Sequence, residues 1–187
     1  WRASEANADA FDEEGFLRSG DAVVWRDPAQ PHLGLRFDGR IAEDFKLSTG
    51  TFVSVGPLRG KIIAAGAPYV QDAVITGLNM KEVGAMLFTT PKVRQLAGLN
   101  ADAPLADVLA HPKVLAHFQS VLNDLAISAT GSANRVARLV LLCEPPSIDK
   151  GEVTDKGSIN QRAVLKHRDA LVYEFHNNLT PNTLLPE

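Results

Sequence analysis

Two apolar stretches with a turn between them constrain this chain most. They are residues 71–76 (QDAVIT) and 82–90 (EVGAMLFTT), split by GLNMK. Apolar runs of this length, bounded by Gly and Asn, read as β-strands. The period then changes. Over residues 105–127, Leu115, Phe118, Leu122 and Leu125 recur at helical spacing, and Pro112 can open a new helix. A strand at 137–143 follows the loop TGSAN, and a last helix at about 159–169 follows PPSIDKGEVTDKGS. Upstream, the Pro/Gly loop DPAQPHLG separates short strands at 22–26 and 34–37. Residues 45–55 read as a hairpin turning at Thr49 and Gly50, and 57–65 as a short helix with Pro near its first turn. Strands interleaved with helices predict an α+β fold: a small mixed sheet of about three main strands flanked by helices, with an N-terminal β extension and a helical insertion at about 97–134.

The domain boundary is expected near residues 40–43. What precedes it is two strands with no helix to cover them, which cannot bury a core alone and reads as the tail of a preceding domain. Residues 1–40 are therefore assigned to that domain and 41–187 to a small C-terminal one. A chain that starts at Trp1 in mid-composition is expected to be a fragment of a longer protein.

The bulk numbers exclude several classes. Net charge is −3, with no basic block, which argues against nucleic-acid binding by a cationic face. No apolar run approaches the ~20 residues of a membrane span, and no signal peptide is visible. The single cysteine, Cys143, lies in the apolar run RLVLLCEPP, where it reads as a buried strand residue. No internal disulfide is possible, which fits a reducing compartment, and a cytoplasmic protein is expected. The five histidines show no paired ligand spacing, so no metal site is assigned. VSVGPLRGKII imitates a phosphate loop, but only three residues separate Gly56 from Gly60 and Ile62 follows Lys61 where a Ser or Thr is required. It reads as a helix start.

Two short stretches carry the chemistry. RSGD ends on Asp21, and FDGRIAEDFKLSTG places Arg40 behind Gly39 and ends on Thr49 and Gly50. A carboxylate on a tight turn can accept hydrogen bonds from both vicinal hydroxyls of a ribose. The planar fork of an arginine can reach the same sugar or a phosphate. Taken singly, a turn Asp and a surface Arg are commonplace. The pair, with a strand, a loop and a strand between, is more informative.

This order resembles the end of the acyl-adenylate-forming enzymes, which comprise acyl- and aryl-CoA synthetases, nonribosomal-peptide adenylation domains and luciferases. VQDAVITG is similar to their V-x-D-A-A-V-V-G strand. EVTDKGSINQRAVL is similar to their closing T-x-x-G-K-x-x-R segment. The wording FDGRIAEDFKLSTGTFVSVGPLR with TDKGSINQRAVL looks most like feruloyl-CoA synthetases. The resemblance covers most of the chain and implies a ligase that uses ATP (with Mg²⁺ held by the large domain, absent here) and coenzyme A. A carboxylic acid, such as a hydroxycinnamate, would become an acyl-adenylate and then a thioester, with AMP released. The family's ribose-binding Asp falls on Asp21 and its hinge-proximal Arg on Arg40. The Gly that meets the pantetheine arm falls near Gly50, with Lys46 and Thr49 beside it. The chain departs at two points. Ala42 stands where the hinge residue is usually Asp or Lys, and Ser158 follows Gly157 where the adenylation lysine is expected. Lys156 is the candidate for that lysine, with Lys166 and Lys150 as less favoured stand-ins. The other partner implied is the chain's own large N-terminal domain, without which the piece should be inactive. Two alternatives stay open: an adenylating enzyme that passes its acyl group to a carrier protein, and a non-catalytic interaction module whose contact surface would be the helical insertion.

Overall fold

The computed structural model describes residues 8–187; residues 1–7, the start of the segment assigned to a preceding domain, lie outside the described residues. Strands β1 (Asp21–Trp25) and β2 (Leu35–Arg40) form an antiparallel ribbon that pairs Asp21 with Arg40. A 3-10 turn (Ile41–Glu43) leads to the hairpin of β3 (Phe45–Lys46) and β4 (Phe52–Val53) and into helix α1 (Val55–Ala65). The Asp44 carboxylate accepts a hydrogen bond from the Val55 N–H at 2.9 Å, satisfying one of the donors that a helix start leaves free.

Strands β5 (Val70–Thr76), β6 (Val83–Thr89) and β7 (Val136–Leu141) form the main sheet in the order β5-β6-β7. β5 and β6 are antiparallel, while β6 and β7 are parallel. The crossover between the parallel pair carries α2 (Val93–Ala97), α3 (Leu105–Leu109) and α4 (Pro112–Ile127). Helices α5 (Gln161–His167) and α6 (Asp169–His176) close the described chain.

The strands are apolar without alternation because both faces of the sheet are covered. Ala73, Ile75, Ala85, Leu87, Leu139 and Leu141 point into a core shared with α1 and α4. Their neighbours Val74, Met86, Phe88, Val140 and Leu142 point into a second core with Val164 of α5 and Phe175 of α6. Gly84 on β6 leaves room for that aromatic ring: a Cβ there would stand 2.5 Å from Phe175 Cε1. The mixed three-stranded sheet flanked by helices is the architecture expected.

Several details differ from the expectation. β2 runs on to Arg40 because its register with β1 continues to Asp21. Helices α2 and α6 were not anticipated. The last helix breaks at Arg168, whose φ of −115° and ψ of 30° leave the helical region. Cys143 is exposed rather than buried, because β7 ends at Leu141 and the chain leaves the sheet before the thiol. Residues 97–134 form the β6-to-β7 crossover, and α4 turns Val114, Phe118, Leu122 and Leu125 into the main core.

Candidate functional site

Gly39 and Gly56 create the closest approach in the region. Gly39 has φ +111°, and a Cβ on Gly56 would stand 2.5 Å from Gly39 Cα and 2.8 Å from the Asp38 carbonyl oxygen. Backbone can therefore lie on backbone here as it could with no larger residue. β2 is thereby laid against the first turn of α1, and a cleft of about 680 Å³ opens beside the contact. Arg40 and Glu43 line it from the end of β2 and the 3-10 turn, and Arg59 from α1. Thr154, Ser158 and Arg162 line it from the segment before and at the start of α5.

Asp21 and Arg40 stand together. Arg40 Nε lies 3.2 Å from Asp21 Oδ1, an ion-pair contact whose angles do not make a hydrogen bond. Asp21 Oδ1 is buried and has no hydrogen-bond partner. That is an acceptor awaiting a donor, and a buried acceptor left alone costs stability.

The other cleft arginines differ in how they are held. Arg59 grips Asp72 with two bonds, Nε to Oδ1 at 2.7 Å and Nη2 to Oδ2 at 2.6 Å, and reaches the Ile159 carbonyl at 3.4 Å. The Asp72 hydrogen bond raises the Arg59 pKa, so the guanidinium stays protonated while the carboxylate beside it offsets its charge. Burial raises the Glu43 pKa, with the charges of Arg59 and Arg40 pulling the other way. Among the described residues Arg162 has no ion pair, and it is exposed at the cleft wall.

Residues 153–159 form a small hairpin closed by a bridge between Val153 and Ile159. The Gly157 N–H donates to the Thr154 carbonyl at 2.8 Å, and the Thr154 and Ser158 hydroxyls meet at 2.8 Å. Its base is pinned by Glu152, which is 1% exposed. Arg168 donates to both Glu152 oxygens, at 3.0 and 2.8 Å, and the Ser147 N–H donates to Oε2 at 2.8 Å. The Arg168 hydrogen bonds hold the Glu152 carboxyl down to about 2 against the opposing cost of burial. Arg168 also donates to the carbonyls of Glu144 and Pro145, so one side chain ties the preceding loop to the junction of α5 and α6.

The structure sorts the candidates into two groups. Arg40 lines the cleft, and Asp21 is joined to it through the Arg40 ion pair without being among the lining residues. Lys156 stands on the hairpin turn, exposed, and is not among the residues that line the cleft. Lys46, Thr49 and Gly50 are exposed at the β3–β4 hairpin, where the Ser48 N–H donates to the Met80 carbonyl at 2.8 Å and Thr51 Oγ1 lies 3.4 Å from Ser132 Oγ. Gly50 has φ +84°, which suits a glycine turn. Sequence reasoning did not single out Arg59 or Arg162. Arg162 had a signal, its place at the end of TDKGSINQR. Arg59 had none, because its partner Asp72 is thirteen residues away on a strand that reads as apolar. Among the described residues no cluster of His, Cys, Asp and Glu could hold a metal ion, and no helix is long and apolar enough to cross a membrane.

No family model matches the chain, and no curated protein matches it. Solved structures do. The A domain of a carboxylic acid reductase from Segniliparus rugosus, in complex with AMP and a co-purified carboxylic acid, matches 96% of this chain at a TM-score of 0.67 and 20% identity. The adenylation domain of a carboxylate reductase from Mycobacterium chelonae matches 95% at 0.67 and 22%. An anthranilate CoA ligase in complex with anthranoyl-AMP matches 91% at 0.57 and 19%. The fold is that of the C-terminal small domain of adenylate-forming enzymes. The chain spans about a quarter of the length of these structures, 26%, 25% and 27% respectively.

Proposed function

We propose that this chain is the C-terminal lid of an adenylate-forming ligase and acts over a nucleotide held beside Asp21 and Arg40. The observation that carries the proposal is the buried, unpartnered Oδ1 of Asp21, paired with a cleft-lining arginine, in a chain whose fold matches adenylate-forming enzymes. In the reaction, a carboxylate oxygen bonds to the α-phosphorus of ATP and pyrophosphate leaves. A thiol then attacks the acyl carbon, AMP leaves and the thiol proton is released. Asp21 accepts from the ribose hydroxyls, and Lys156, at the tip of its pinned hairpin, supplies positive charge at the α-phosphate in the first step. Lys46, Thr49 and Gly50 line the path of the thiol arm in the second. Coenzyme A is the acceptor and a hydroxycinnamate such as ferulate the acid, on the likeness of FDGRIAEDFKLSTGTFVSVGPLR to feruloyl-CoA synthetases. Mg²⁺ travels with ATP and is held by the large domain.

Residues 1–40 are the tail of that large domain. In support, Val23, Trp25, Leu35 and Phe37 of the ribbon are each more than half exposed, a run of apolar surface that a neighbouring domain would cover. One observation favours a second acceptor. The carboxylic acid reductase domains match at TM-score 0.67 against 0.57 for the CoA ligase, and another of the matched structures joins the adenylation domain to its carrier protein. A carrier-bound thiol is therefore the alternative to coenzyme A.

The test uses the protein with its large domain present. Pyrophosphate release is followed with ferulate and a panel of other acids, and thioester is then sought with coenzyme A and with a phosphopantetheinylated carrier. Ferulate-dependent pyrophosphate release and a CoA thioester are expected. Thioester only on the carrier selects the second reading, and no pyrophosphate from any acid removes both.

A further inference from the structure

We infer that Arg162 is a phosphate-binding group of this cleft, taking the phosphate of the bound nucleotide in the orientation the structure holds. The inference rests on the adenylate-forming reading above and assigns a residue that reading does not use.

Three guanidinium groups line the cleft, and two have a carboxylate beside them. Arg40 faces the Asp21 carboxylate, and Arg59 is clamped in two hydrogen bonds by Asp72. A clamped arginine offers an anion little net charge, because its fork is already filled by a carboxylate. Arg162 lines the same cleft from the start of α5, without an ion pair among the described residues. Its planar fork suits two phosphate oxygens at once. The segment leading to it is rigid. The Asn160 side chain accepts from the Ala163 N–H at 3.3 Å, and Gln161, 1% exposed, accepts from the Ile75 N–H at 2.9 Å, which fastens the residues on both sides of Arg162 to the β5 edge and to α5. Lys156 stands on the turn and is absent from the lining. A nucleotide with its ribose at the Asp21–Arg40 pair, of which Arg40 lines the cleft, can therefore direct its phosphate across it at Arg162. Lys156 would take that place only after the hairpin has moved.

The test compares AMP with adenosine, two ligands that differ only in the phosphate, on the protein with its large domain present. Equilibrium binding is measured for the wild type, Arg162→Gln and Arg162→Lys. The side chain is exposed, so unchanged melting temperatures are expected. Arg162→Gln should raise the Kd for AMP about tenfold, the size expected of a charge-assisted hydrogen bond at a partly solvated site, and leave the Kd for adenosine unchanged. Arg162→Lys should fall between, having charge but no fork. AMP affinity unchanged in Arg162→Gln, or an equal loss for AMP and adenosine, overturns the assignment while leaving the ligase reading standing. A wild type that binds neither ligand overturns the ligase reading and this assignment with it.

Discussion

Gly56 has no space for even one carbon more. A Cβ would meet Gly39 Cα at 2.5 Å, and both sides of that contact are backbone, so relief requires moving β2 away from α1. Gly56→Ala is expected to cost about 1–3 kcal/mol and to speed amide exchange in β2, read by hydrogen exchange with mass spectrometry. Unchanged exchange in 35–40 would mean the two elements part freely. Glu152 offers a second test. Removing Arg168 leaves its carboxylate buried and unpaired, so Arg168→Leu should destabilise the chain by about 3–5 kcal/mol at neutral pH, measured by urea unfolding. The Glu152 pKa is depressed to about 2 from 4.5. Its contribution to stability is therefore complete above about pH 4.5 and is lost as pH falls toward 2. Acid should shrink the gap between Arg168→Leu and the wild type over that window.

At the scale of elements, α4 is core rather than ornament. Phe118 and Leu122 are fully buried in the main core. Phe118→Ala is expected to cost about 3–5 kcal/mol, by the same urea measurement, and a loss under about 1 kcal/mol would show that the helix sits on the sheet without sharing its core. The helix itself was legible, because Leu115, Phe118, Leu122 and Leu125 repeat at helical spacing and Pro112 marks its start. Its role was not, because whether a segment inserts into a fold or crosses over a sheet depends on which strands pair, and β7 lies far along the chain. The strands at 70–76 and 83–89 were legible for the opposite reason: runs with both faces buried leave no polar residue to blur them. Helix α6 escaped notice because the chain breaks at Arg168, between α5 and α6, where the side chain is bonded to Glu152 sixteen residues back. The Asp21 and Arg40 pair could be read from two short motifs, whereas Arg162 became a candidate only once the partners of Arg59 and Arg40 were known.

For the whole molecule, pH acts mainly in one direction. His176 packs under the sheet with Thr76 Oγ1 at 2.8 Å from its Nε2, and Arg138 and Glu82 are the charged groups around it. Arg138 is itself tied to Glu82, to the Phe175 carbonyl and to Asn178. Burial first, then the Arg138 charge, lowers the His176 pKa from 6.5 to about 4. The unfolded chain takes up this proton below about pH 6.5 while the folded chain refuses it until about pH 4, so stability should fall as pH drops through that window and stay flat above it. A melting temperature independent of pH from 6.5 to 4.5 would contradict this. His176→Gln should reduce the slope, leaving the contribution of His117, whose pKa burial also lowers, and that of Glu152 at lower pH.

The outer edge of β7 is occupied by the chain's own tail. Leu184 and Leu139 exchange both backbone hydrogen bonds, at 2.8 and 2.9 Å, and Gln119 of α4 holds the Leu185 carbonyl at 2.7 Å. Cut back before residue 184, the chain would present a bare rim of amide and carbonyl groups to any neighbouring molecule. Such a truncation should make the chain recruit copies of itself strand by strand, visible as concentration-dependent light scattering.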